Sequence, residues 1–243
     1  MIECVTFDLD DTLWAVDPVI EQANRELWQW LEAHAPEVSQ TLAPADLSAG
    51  SALHQQLLQQ APEIAHSVSQ VRLRLLEQGC RAAGHGEERA RQLAAAAFEV
   101  FLHARHRVEP FEHAQPVLER LRREGYLIGA LSNGNADLAR LPIGELFDFQ
   151  YNADGVGAAK PHPAMFERAL AHTGLRAHQV VHIGDHPIND VQAARQVGMW
   201  TIWVNLPGQQ WPQPARADAT VNQLAAIPAA LARIAQRAAA APR

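Results

Sequence analysis

The chain is predicted to adopt an α/β fold, with a parallel sheet between two helix layers and an all-helical insert near its start. Three observations predict this. A short apolar stretch, Glu3 to Asp8, reads as a buried strand. From about Val16 to Arg107 the apolar residues recur at three-to-four spacing, with no strand signal. After Val108-Glu109-Pro110 strand and helix patterns alternate, as parallel sheets require.

Along the insert, Val19-Ile20, Ala23, Leu27 and Trp30-Leu31 lie on one helical face. Leu53 with Leu57-Leu58, and Val71 with Leu75-Leu76, mark two more helices, and the last runs from roughly Glu87 to His106. Pro18, Pro36, Pro44 and Gly84-His85-Gly86 punctuate the stretch, giving about four helices. Beyond it, helices are expected over Gln115–Arg123, Pro163–His172 and Ile188–Val197. Strands are expected over Tyr126–Leu131, Gln179–Ile183, Met199–Val204 and Ala217–Val221. Leu206 to Pro214 reads as a loop, followed by a terminal helix whose alanine-rich tail frays from Ala238. The core is thus built from about 1–15 and 109–243, with the helical insert at 16–108.

Composition narrows the partners. The chain is 48% hydrophobic and 19% charged, which suits a globular protein. A net charge of -7 argues against nucleic acid and anionic membranes as partners but leaves room for a small phosphorylated metabolite. Cys4 and Cys80 have no metal-type spacing and suggest no disulfide framework. With no signal-peptide pattern or membrane-length apolar run, the expected compartment is the cytoplasm. Oligomeric state is not readable.

The chemistry-bearing residues stand at strand ends. Asp8, Asp10 and Asp11 follow the first strand, Ser132-Asn133-Gly134-Asn135 the second, and Gly184-Asp185 a later one, with Asp190 five residues on. Lys160, the only lysine in the chain, precedes Pro161 in a loop. Taken singly, each reads as a turn or a cap; together, they point to a site. Carboxylates brought within about 4 Å repel by roughly 4 kcal/mol at an effective dielectric of 20. A hard divalent cation relieves this, and a donor set of Asp without Cys or paired His suits Mg²⁺. Asp8 is then placed as nucleophile toward a phosphate ester and Asp10 as general acid and base. Ser132 and Asn133 are placed to hold phosphoryl oxygens, and Lys160 to offset their charge.

The same residues resemble the haloacid dehalogenase-like superfamily. Asp8-Leu9-Asp10-Asp11-Thr12, Ser132, Lys160 and Gly184-Asp185 with Asp190 match its four motifs in order. The resemblance implies a Rossmann-like core, Mg²⁺ and a phosphoaspartate intermediate. It also implies Asp8 and Asp185 as side-chain metal ligands, Asp10 as a ligand through its carbonyl, and Asp190 as a support for the metal site or Lys160. The insert is similar to the family's helical cap. Members that cleave carbon–halogen bonds lack an acid/base Asp at the place of Asp10, so its presence favours phosphoryl transfer. Phosphomutase and a silent binding protein of the same fold are the alternatives.

A narrower similarity joins the Asp8 to Trp14 segment with Pro18, the Ala61-Pro62-Glu63-Ile64 segment with Arg72 and Arg74, and Ser132 to Asn135. It is to bacterial phosphatases acting on flavin mononucleotide and on a phosphorylated riboflavin precursor. It places Asn135 near the leaving group. Trp14, directly after the first motif at the start of the insert, is a candidate aromatic surface for that group. His186 departs from that pattern, where an acidic or small residue is expected. Trp28 and Trp30 read as core of the insert. His103, Arg105, His106 and Arg107 suit a helix C-terminus on dipole grounds alone.

Overall fold

The computed structural model describes residues 1–208, 210 and 216–240. The chain divides into two compact units, Met1–Ala15 with Glu109–Arg243, and Val16–Val108. Among the described residues of the first unit, six strands form one sheet. They are β1 Cys4–Phe7, β2 Leu127–Ser132, β3 Phe149–Asn152, β4 Val180–Gly184, β5 Trp200–Val204 and β6 Ala219–Val221. Their order is β3-β2-β1-β4-β5-β6, and every pairing is parallel. This is the α/β class expected from the sequence, in Rossmann-like strand order.

The Val16–Val108 unit is wholly helical. It holds α1 Val16–His34, α2 Pro36–Thr41, α3 Ala52–Gln60, α4 Val68–Ala82 and α5 Glu87–Arg105. That is five α-helices where about four were expected. The extra one is α2, because Pro36 opens a short helix at its first turn instead of ending a longer one. Ser51 Oγ accepts a hydrogen bond from His54 N at 3.1 Å, and Ser67 Oγ from Gln70 N at 3.0 Å, capping α3 and α4. α1 buries Val19, Ala23, Leu27 and Leu31 at four-residue spacing. Trp28 and Trp30 pack, half-buried, against this core, and Trp30 also stacks on His34. Arg72 donates to Asn24 Oδ1 at 2.8 Å and lies 3.9 Å over the Phe101 ring. At the end of α5, Arg105 is buried and Arg107 pairs with Glu26.

Among the described residues of the first unit there are five further α-helices: α6 Ala114–Arg123, α7 Ala153–Val156, α8 Ala164–Thr173, α9 Ala193–Gln196 and α10 Ile227–Ala240. α6 buries Ala114, Val117, Leu118 and Leu121, a clean i, i+3, i+4, i+7 stripe. α8 supplies Met165, Phe166 and Ala169 to a core shared with Cys4, Leu131 and Val180. α10 stays helical to Ala240, past the expected fraying point at Ala238. Residues 241–243 and part of the loop expected over 206–214 lie outside the described residues. No described helix is long and apolar enough to cross a membrane.

Two elements depart from expectation. No strand was expected at β3: its sequence, Phe-Gln-Tyr-Asn, is short, half polar and at the sheet edge. Gly129 makes room for it, since a Cβ there would lie 2.2 Å from the Phe149 ring. The expected helix Ile188–Val197 instead begins as a π-helical turn, Pro187–Gln192, before α9.

β1 sits between β2 and β4, where the strand order reverses. Ligands of such sheets bind in the crevice outside the carboxyl ends at that point. β1 and β4 are buried at every position, as expected of strands covered on both faces. Their last shared rung, Phe7 beside Ile183, leaves Asp8 and Gly184-Asp185 to open into the crevice.

Candidate active site

Asp8 continues β1 by one bond, its N–H donating to Ile183 O at 2.8 Å. The chain then turns sharply. Asp11 takes a left-handed φ of 58°, which Asp tolerates better than most residues, and Leu13 N donates back to Leu9 O. The turn brings Trp14 over Asp10, and the indole Nε1 donates to Asp10 Oδ1 at 2.8 Å. Trp14 is therefore not a stacking surface for a leaving group. It is wholly buried, and its one polar atom is spent on Asp10.

Lys160 reaches the same crevice from its loop. Its ammonium donates to Asp8 Oδ1 at 2.7 Å, Asp190 Oδ1 at 2.5 Å and Leu131 O at 2.6 Å. All three donors are used, and the side chain is buried. Asn133 fixes the lysine backbone. Its Oδ1 accepts from Lys160 N at 2.7 Å and its Nδ2 donates to Lys160 O at 2.8 Å. Both ends of the Asn133 amide are thus committed to the Lys160 peptide, which leaves its backbone N–H as the group that can meet a phosphoryl oxygen. Ser132 ends β2, buried, with its Oγ accepting from Gly134 N at 3.0 Å. Asn135 lies half-buried in the same turn.

On the β4 side, Thr12 ties the two strand ends together. Its hydroxyl accepts from Asp185 N at 3.1 Å and lies 3.2 Å from Asp185 Oδ1 and 3.5 Å from Asp8 Oδ2. Trp203 Nε1 donates to Asp185 O at 2.7 Å. His186 caps the π-helical turn, its Nδ1 accepting from Ile188 N and Asn189 N. Its own N–H donates to Asp190 Oδ2 at 2.9 Å. Gly184 is required here because a Cβ would fall 2.3 Å from the Asp190 carboxyl carbon.

One residue missed by sequence reasoning completes the cluster. His182, in the middle of β4, is buried with Nε2 at 3.2 Å from Asp190 Oδ1 and Nδ1 at 2.9 Å from Thr6 Oγ1. The available signal was a lone polar residue within Val-Val-His-Ile-Gly.

One carboxylate oxygen from each of Asp8, Asp185 and Asp190 lies within 4.8 Å of the others, a grouping that could hold a metal ion. These three face a single ammonium. Burial pushes the Asp8 carboxyl well above the usual range, and Asp190 and Asp185 add to this against the pull of Lys160. Burial, then Asp190 and Asp11, push Asp185 up to about 7. Burial also works against an ionised Asp190, but Lys160 and His182 outweigh it and hold its pKa below the usual range. Lys160 is raised by Asp190 and Asp8, which overcome its own burial. The pattern is a negative surplus concentrated on Asp8 and Asp185, the two carboxylates at the crevice. The donor set is all hard oxygen, which fits a divalent cation of the magnesium kind. The Asp10 side chain is outside this grouping because Trp14 holds it.

The buried acids and one ammonium thus stand at the switch point of a doubly covered parallel sheet, where ligands of such α/β folds bind. The sequence model of the haloacid dehalogenase-like hydrolases matches residues 2–198, and the chain belongs to that family. It is 30% identical over 230 residues to the 5-amino-6-(5-phospho-D-ribitylamino)uracil phosphatase YigB of Escherichia coli K12, covering 93% of this chain and 94% of that protein. A phosphoserine phosphatase of Thermus thermophilus is 31% identical over 158 residues, covering 63% of this chain and 62% of its own. Among solved structures, a 2-haloacid dehalogenase from Pseudomonas syringae pv. Tomato DC3000 superposes with a TM-score of 0.90 at 40% identity, covering 96% of this chain and 99% of that one.

Proposed function

We propose that this protein hydrolyses a small phosphorylated metabolite, with Asp8 as nucleophile and Asp10 as general acid and base. The observation that carries the reading is that the two carboxylates have different partners. Asp8 stands in the crevice against Lys160, while Asp10 is held apart by Trp14. Two carboxylates in different environments suit two different roles.

The Asp8 carboxylate attacks phosphorus as the ester P–O bond breaks, and Asp10 gives its proton to the departing alkoxide. Asp10, now ionised, takes a proton from water as that water attacks the aspartyl phosphate. The bond from phosphorus to Asp8 breaks and inorganic phosphate leaves. The Ser132 hydroxyl proton is available to a phosphoryl oxygen, and Lys160 offsets the charge. Asp8 and Asp185 would hold Mg²⁺, with the Asp10 carbonyl as a third ligand and Asp190 behind them. Bound Mg²⁺ supplies the positive charge that lets a phosphate dianion approach an anionic nucleophile. The helical Val16–Val108 unit occupies the place in the chain of the family's cap.

A panel of phosphate esters tests the reading, with the ribitylaminouracil phosphate, flavin mononucleotide, phosphoserine and sugar phosphates as members and a 2-haloacid as control. Phosphate release that depends on Mg²⁺ and stops with EDTA is expected, with no halide from the haloacid. Halide release, or phosphate release indifferent to EDTA, would overturn it. The ribitylaminouracil ester leads the panel because the relative covering 93% of this chain is named for it.

Metal binding also carries a pH signature. Asp185 protonates at about 7 in the metal-free fold but near 4 in an unfolded chain. The stability it contributes is present below about pH 4 and lost as pH rises through about 7. Mg²⁺ binding offsets that loss. Mg²⁺ is therefore expected to raise the melting temperature little at about pH 5 and by several degrees at about pH 8. Thermal denaturation at both pH values checks this, and equal shifts would count against Asp185 as a ligand.

A further inference from the structure

We propose that His182 is a positioning residue that aims Lys160 through Asp190. The kinetic part of the proposal rests on the phosphatase reading above; the structural part does not.

Lys160 points at Asp8 because Asp190 Oδ1 holds the far side of its ammonium. That oxygen is shared: His182 Nε2 lies 3.2 Å away from the same atom. An ionised carboxylate only accepts, so Nε2 carries the imidazole proton and Nδ1 bears the lone pair. Thr6 Oγ1, 2.9 Å from Nδ1, must then donate to it. Asp190 thereby selects the tautomer, and the hydroxyl of Thr6 on β1 supports it by donating to the free nitrogen on the neighbouring strand. The register places the two residues side by side, Thr6 opposite His182. Phe166 meets the ring edge-on at 5.0 Å and closes the remaining side. Burial disfavours the charged ring, in keeping with a neutral hydrogen-bond bridge. The other Asp190 oxygen is held by His186 N, and Gly184 leaves space for the carboxylate. Without His182, Asp190 retains one backbone tether and Lys160 itself, and loses the contact that fixes its rotation.

Lys160 is the chain's only lysine, so ¹⁵N-lysine labelling reports a single side-chain ammonium. A resonance protected from solvent exchange is expected in the native protein. His182→Gln retains a donor near the Nε2 position and is expected to keep that resonance. His182→Leu is expected to shift or broaden it and to lower kcat about 10- to 100-fold, with KM little changed. Thr6→Val, close in volume, removes the donor to His182 Nδ1 and is expected to shift the ring ¹⁵N resonances and to move the lysine signal in the same direction. It serves where the leucine variant does not fold. An unmoved lysine resonance in both His182→Leu and Thr6→Val overturns the proposal, as does a Gln variant as impaired as the Leu variant. Phosphate release that survives Asp8→Asn would instead sink the phosphatase reading, and the lysine resonance would still decide the role of His182.

Discussion

Asp8→Asn is expected to lower phosphate release on the order of 10⁴-fold while leaving the fold intact. The amide is nearly isosteric but is a poor nucleophile toward phosphorus. Lys160 keeps its bonds to Asp190 and the Leu131 carbonyl, so its position is retained. The stability effect has a definite sign. Burial and the neighbouring Asp190 and Asp185 raise the Asp8 pKa, so the metal-free native state loses stability as pH rises and Asp8 ionises. The Asn variant has no such loss. At about pH 8 without metal it should melt no lower than the native protein, and its stabilisation by Mg²⁺ should shrink because one ligand is gone. Phosphate release and melting curves with and without Mg²⁺ measure both effects. A folded variant that keeps its rate would remove Asp8 from the nucleophile's role.

The parts of this site that could be read in the sequence share one physical feature. Asp8, Ser132 and Asp185 are polar residues that end or directly follow apolar strands, and a parallel sheet brings such ends to one edge. What could not be read depends on side chains meeting across the sheet or around a turn. His182 was not singled out because its two partners lie 176 residues before it and 8 after it. Trp14 looked like an exposed aromatic, yet the left-handed turn at Asp11 folds it back onto Asp10. The clasp of Asn133 on the Lys160 peptide, 27 residues on, has no local signal either. The π-helical turn at Pro187–Gln192 was hidden for a similar reason. An apolar pattern there suggests an ordinary helix, but His186 and Asp190 take up first-turn backbone N–H groups with their side chains. Such wide turns recur at functional sites. β3 escaped because an edge strand of four residues needs little apolar content.

Lys160→Met is the substitution expected to cost most in stability as well as activity. Methionine fills a similar length of cavity but leaves the buried carboxylates of Asp8 and Asp190 without their ammonium. Removing one partner of a buried ion pair typically costs about 3–5 kcal/mol. For a chain of this size that is roughly 6–20 °C in melting temperature. The pH dependence identifies the cause. In the native protein Lys160 is the largest influence holding the Asp190 pKa down, so this stabilisation is present above the unfolded carboxyl pKa of about 4 and lost as pH falls below it. In the variant both carboxyls take up protons at higher pH. The gap in melting temperature between native and variant is therefore expected to be widest near neutral pH and to close toward about pH 4. Phosphate release should fall on the order of 10²- to 10³-fold at every pH where the variant is folded. Lys160→Arg should not restore it: a planar guanidinium cannot direct donors at Asp8, Asp190 and the Leu131 carbonyl from one nitrogen, as the ammonium does. A gap in melting temperature that does not vary with pH would place the loss in packing rather than charge. An active Lys160→Arg enzyme would show that positive charge alone, without the three-way geometry, is what Asp8 requires.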